Sequence, residues 1–157
     1  MVVLFLTMAA AAAQPAASSI AVEGLNGDKQ AFTIDQLRQL PQQTVMLANP
    51  NTGTTNRYEG PLLRDVLAKL AVPSGDKLRG DEMRDYVEIT GRDGYRAVFA
   101  LAELDPAFQD NKVVVAISSN GKPLDEQQGP VRLVAPQDKR PARSVRMVAT
   151  IVVRRAP

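Results

Sequence analysis

Cysteine and histidine are both absent from this chain of 157 residues, and so is tryptophan. The missing cysteine excludes thiol nucleophiles, disulfides and any thiolate metal ligand supplied by the protein. The missing histidine excludes a Ser-His-Asp triad, haem ligation through imidazole and Cys/His zinc sites. It also removes the side chain that ordinarily moves protons near neutral pH. Any chemistry must come from carboxylates, lysine, tyrosine, serine or a bound cofactor. The redox compartment stays open, because lack of cysteine shows only that no disulfide is needed.

Aromatic residues are scarce at 4%, and the formal net charge is only +2. A general nucleic-acid binder carries more positive charge, with aromatics interleaved for stacking, so no nucleic-acid partner is expected. Charged residues at 23% and hydrophobic ones at 45% describe a globular chain. The length suits one domain with an ordinary core. Neither an internal repeat nor a linker long enough to separate domains is present. The longest apolar stretch, Val2 to Ala13, falls short of the ~20 residues that span a bilayer, so stable membrane insertion is not expected. It matches the hydrophobic region of a secretory signal, with small residues before cuts after Ala13 or Ala17, although a positive leader is lacking. Residues 1–17 therefore read as a signal peptide and 18–157 as an exported, periplasmic domain.

What is present is mostly short strands. Ile20 to Gly24, Thr44 to Ala48, Asp85 to Thr90 and Tyr95 to Phe99 read as strands, the last two as a hairpin turned at Gly91-Arg-Asp-Gly94. Leu25-Asn-Gly-Asp28 reads as a hairpin-type turn. Thr33 is a candidate cap for one or two helical turns that stop at Pro41. Asn49 to Asn56 is polar and reads as a loop. Tyr58 to Leu70 is predicted as the best helix, with Pro61 at its first position and Leu62, Leu63, Val66, Leu67 and Leu70 on one apolar face. Leu101 to Leu104 reads as a helical turn. Val113 to Ile117 is apolar throughout, so it is predicted to be a strand buried on both faces. Ser118, Ser119 and Asn120 are explained by turn chemistry alone. No carboxylate pair suited to acid-base work stands out among Glu59, Asp65 and Glu88.

The cations are unevenly placed. Arg132, Lys139, Arg140, Arg143 and Arg146 fall within fifteen residues, opposed by Asp138. They lie on a strand, Gly129 to Pro136, on a proline-broken loop, and at the start of a last strand from Ser144 to Val153. Loops held by a rigid sheet are where binding groups usually sit, though scattered surface charge reads the same way. Arg132 interrupts an apolar strand, where a cation requires either a partner or an opening onto a site. Tyr95, just after Gly94, reads first as a half-exposed structural tyrosine and second as a ligand-facing one.

The run Gly129-Pro-Val-Arg-Leu-Val-Ala-Pro136, followed by Arg143-Ser-Val-Arg146 and Ile151-Val-Val153, resembles the end of the sulfite-oxidase-type molybdopterin-binding fold. The pattern Tyr58-x-Gly60-x-x-Leu63-x-Asp65-x-Leu67 recurs in the same family, and the order of elements parallels it from about residue 30 to 153. The resemblance implies an α+β, β-rich, single mixed-sheet domain. It also implies a pterin held by Arg132, Arg143, Ser144 and Arg146. Lys139, with Arg140 and Arg143, would meet any phosphate, and Tyr95 or Tyr58 would supply an aromatic wall. The family's enzymes hold molybdenum through a cysteine that, by order along the chain, falls near Ala48 or Asn49. Neither supplies sulfur, so no molybdenum and no sulfite-oxidase-like metal reaction are expected. Some small periplasmic members without that cysteine bind pterins and act through a membrane signalling partner. The expectation is thus a non-catalytic pterin-binding module. The alternatives are an interaction domain with a vestigial pocket, or a molybdopterin-dependent oxidoreductase lacking a cysteine ligand.

Overall fold

The apolar run at residues 113–117 divides the interior of the molecule, which is known here from a computed structural model describing residues 19–157. The signal-peptide reading of residues 1–17 lies outside the described residues. Side chains alternate across a strand, and this run uses both faces. Val113, Val115 and Ile117 join the larger hydrophobic cluster, whereas Val114 and Ala116 join a smaller one with Val45, Leu47, Tyr58, Leu62 and Val134.

Eleven strands are described in chain order. They are β1 (Ser19–Glu23), β2 (Lys29–Thr33), β3 (Gln42–Ala48), β4 (Thr55–Pro61), β5 (Asp85–Gly91), β6 (Arg96–Ala100), β7 (Val114–Ala116), β8 (Ser118–Ser119), β9 (Lys122–Pro123), β10 (Arg132–Val134) and β11 (Val148–Arg155). Three short α-helices, α1 (Ile34–Arg38), α2 (Leu63–Leu67) and α3 (Leu101–Leu104), join them. A five-stranded mixed sheet runs β2-β1-β11-β5-β6, with β1 parallel to β11 and every other pair antiparallel. A four-stranded antiparallel sheet runs β3-β4-β8-β9, and β10 pairs with β7 between the two. The result is a β-rich, mixed-sheet, single domain, as the resemblance implied.

Local chemistry explains several elements. Thr33 caps α1 through a reciprocal capping box with Gln36. Asn120 adopts a left-handed φ of 51° beside Gly121 at 78°, the geometry that an Asn-Gly hairpin turn needs between β8 and β9. The predicted apolar face Leu62, Leu63, Val66, Leu67 and Leu70 is buried as a set. No helix among the described residues is long and apolar enough to cross a membrane.

One element differs from the sequence reading. Tyr58 to Pro61 are the second half of strand β4, and the helix begins only at Leu63, after Leu62 as its N-cap. Pro61 is therefore the last strand residue rather than the first helical one. The reason is tertiary: β4 pairs along its whole length with β3, and Gly60 lies so close to β7 that any Cβ there would collide with the Val115 carbonyl. Strand β4 also takes Thr55 and Asn56 from the predicted loop. The last strand starts at Val148, four residues later than expected, since Pro141–Arg143 form a 3-10 turn.

Candidate ligand-binding site

Three pieces of chain meet around Arg132. It lies on β10, which hydrogen-bonds to β7 on one side and to the irregular stretch before β11 on the other. There Leu133 N–H donates to the Val145 carbonyl, and Val148 N–H to that of Val131. Between those bonds, Val145 points into the core while Arg146 is exposed. Met147 follows with φ 48°, a left-handed conformation that non-glycine residues adopt only when their surroundings enforce it. Its N–H donates to Gln128 and its carbonyl accepts from Arg92, so both ends of the residue are pinned.

The third piece is β4. Tyr58 is buried, and its hydroxyl accepts a 2.8 Å bond from Arg132 Nη1. Arg132 Nη1 also donates to Gln128 Oε1 at 2.6 Å, and the Tyr58 hydroxyl donates to the same oxygen at 2.9 Å. The guanidinium carbon stands 5.0 Å from the Tyr58 ring centroid, within range of a cation–π contact. All these partners are neutral. Arg132 Nε is buried without a hydrogen-bond partner among the described residues. Burial, and to a lesser degree the neighbouring positive Arg146, hold the Arg132 pKa below its ordinary value despite the opposing influence of Tyr58 and, more weakly, of Asp125.

Two cavities open on this cluster. One, of about 260 Å³, is lined by the end of β3 (Leu47, Ala48) and the loop after it (Asn49, Pro50, Asn51), together with Asn56, Tyr58, Gln127, Gln128, Arg132, Pro141 and Arg146. The other, of about 380 Å³, is lined by Asp93, Tyr95, Ala142, Ser144 and Met147, and shares Gln127, Arg132, Pro141 and Arg146 with the first. Arg146 makes no ion pair among the described residues and lines both cavities. A separate, more apolar cavity of about 370 Å³ lies between α2 and α3. Its buried acid, Asp105, is already used to accept from the Gly75 and Ala107 backbone N–H groups.

The sequence-nominated residues separate accordingly. Arg132 and Arg146 come together at the cavities, and Tyr95 lines the second, half exposed, with its hydroxyl donating to the Ala142 carbonyl at 2.7 Å. Ser144 reaches that cavity too, but its hydroxyl accepts from the Ala135 N–H at 3.0 Å and clips the loop to β10. Lys139 is exposed and lines neither cavity. Arg143 is turned elsewhere: it forms a two-bond fork with Asp138 at 2.7 and 2.9 Å, reaches Glu103 at 3.1 Å, and stacks 4.2 Å over Phe99. Asp138 and Glu103 raise its pKa. Its charge is satisfied inside the protein, and it lines neither cavity. Gln127 and Gln128 were missed, because a glutamine pair in a polar turn carries no signal in periodicity or composition. Ala48 and Asn49, singled out by the resemblance, line the first cavity. Asn49 Oδ1 there accepts from the Asn51 N–H at 3.0 Å.

A family model, the oxidoreductase molybdopterin binding domain, matches residues 8–157. The chain belongs to this family. Its fold is similar to that of the sulfane dehydrogenase SoxCD from Paracoccus pantotrophus, with a TM-score of 0.65 at 20% identity over 87% of this chain. The chain spans 38% of that solved chain. No curated protein matches this sequence.

The residues present fit the organic part of a molybdopterin. An under-bonded Arg132, a free Arg146 and surrounding amides are the donors a flat heterocycle with carbonyl or phosphate oxygens requires. They offer no protein sulfur, because the chain has no cysteine, and the cavity wall at Ala48 and Asn49 carries none. Among the described residues no group of His, Cys, Asp or Glu is placed to hold a metal ion.

Proposed function

We propose that this domain binds a pterin, or a similar small polar heterocycle, at the two cavities that share Arg132 and Arg146. The proposal extends to its use: an exported, periplasmic, non-catalytic module that presents liganded and empty surfaces differently to a membrane signalling partner. Such a device works only if the partner distinguishes the two states. The single observation that carries the reading is Arg132. A mostly buried guanidinium without a carboxylate is costly in an empty protein, and a ligand oxygen beside it would offset that cost.

In this reading Arg132 supplies charge and direction, held by Tyr58 and Gln128. Arg146 adds a second cation at the mouth, where Met147 fixes the backbone. Tyr95 orders the Pro141–Arg143 turn that forms part of the wall. When bound, a molybdopterin supplies two-electron redox chemistry, and the family membership favours an oxidoreductase as the second reading. Any metal would then be held without a thiolate from this chain.

The test is to express the full chain in a Gram-negative host, denature the purified protein and analyse the released small molecules by fluorescence and mass spectrometry, with metal analysis in parallel. A stoichiometric pterin without molybdenum is the expected result. Molybdenum with a dithiolene pterin would establish the oxidoreductase reading instead. Neither ligand nor metal, with no uptake of added pterin, would leave an interaction domain.

A further inference from the structure

Resting on the reading of the Arg132 cavities as a ligand site, we propose that Gln128 is its specificity-determining residue and makes the site select an anionic group. The basis is the orientation of one amide. Gln128 Nε2 lies 3.1 Å from Asp125 Oδ2, and Oε1 lies 2.6 Å from Arg132 Nη1. A carboxylate only accepts and a guanidinium only donates, so the amide can stand only this way round. Asp125 is itself locked, accepting from the Gln127 and Gln128 backbone N–H groups at 3.0 Å each. The turn thus carries a carboxylate to within one side chain of Arg132 and inserts a neutral amide between them.

The consequence is a guanidinium fixed in place but not neutralised. Arg143 and Arg155, by contrast, each grip a carboxylate through two nitrogens. Arg132 Nη2 makes no hydrogen bond among the described residues, and Arg146 adds an unpaired cation that lines both cavities beside it. Two cations with neutral supports suit an oxyanion such as a phosphate or carboxylate on the ligand. A glutamate in place of Gln128 would fill that role from within and close the site to anions.

The test moves the carboxylate without changing the net charge. In the double variant D125N/Q128E, the introduced asparagine keeps its oxygen for the backbone N–H groups and donates from its amide to the introduced glutamate, which in turn faces Arg132. The full chain, this variant and Gln128→Glu alone are titrated calorimetrically with inorganic phosphate, a pterin phosphate ester and unphosphorylated pterin. Thermal melts follow folding. The double variant is expected to melt no lower than the parent, to lose at least about tenfold in affinity for phosphate and for the ester, and to change less than about threefold toward unphosphorylated pterin. Preference for the ester over inorganic phosphate would identify a phosphorylated heterocycle, and the reverse a free oxyanion. Phosphate binding unchanged in the folded double variant, no phosphate binding by the parent, or equal losses for all three probes would each overturn the proposal. If no pterin binds but phosphate selection follows the carboxylate, the heterocycle reading falls and the role of Gln128 stands.

Discussion

Arg132 and Arg143 stand eleven residues apart, and the fold treats them in opposite ways. Arg143 holds Asp138 through two nitrogens, Glu103 through one, and lies over Phe99. Its guanidinium ties the basic loop to α3 and β6. Arg132 is the more deeply desolvated of the two, yet its direct partners are a tyrosine and a glutamine. A guanidinium stapled by carboxylates contributes to stability; one held by neutral groups keeps its charge for something else. Density of positive charge along the sequence therefore says little about which cation binds.

The widest break in this comparison should come from Arg132→Met. Ligand affinity should fall by about 2–3 kcal/mol, the scale of a lost charge-assisted hydrogen bond, while stability stays level or rises, because an uncompensated charge leaves the interior. Calorimetric titration and urea denaturation of the same preparation read the two effects; a large loss of stability would place Arg132 in the framework instead. Arg143→Met should do the reverse. It should destabilise the domain by about 2 kcal/mol, discounted from the buried-pair value because the fork is a third exposed, and leave the affinity of the remaining folded protein nearly unchanged.

Smaller effects sharpen the contrast. Arg146→Ala should weaken anion binding by about 1 kcal/mol, with a loss that shrinks as salt rises, because this side chain is solvent-exposed. Stability should move by less than about 0.5 kcal/mol. Lys139→Ala should alter neither quantity beyond about 0.5 kcal/mol, since Lys139 lines neither cavity. A clear drop in affinity on replacing Lys139 would bring the outer basic loop into the site.

Much of the architecture was legible in advance for reasons that are local. The run at residues 113–117 is apolar at every position, so both of its faces had to be covered. Thr33 and Gln36 stand at capping-box spacing, and Asn120-Gly121 is a hairpin turn pair. Tyr58 to Pro61 failed because leucines at helical spacing lie just downstream, so the pattern extends backwards across a strand. What made those residues a strand was pairing with β3 and the close packing of Gly60 on β7, neither of which is written in the segment itself.

The site divides in the same manner. Motif order singled out Arg132, Arg143 and Arg146 alike, and in the structure only Arg132 and Arg146 line the cavities. The lack of cysteine settled, from the sequence alone, that this chain contributes no thiolate to a metal, because no folding can create a missing side chain. Which arginine is free was decided only in three dimensions. Glu103 reaches Arg143 across 40 positions and Tyr58 reaches Arg132 across 74. Charge compensation is set by distance in space, and at those separations the sequence carries no record of it.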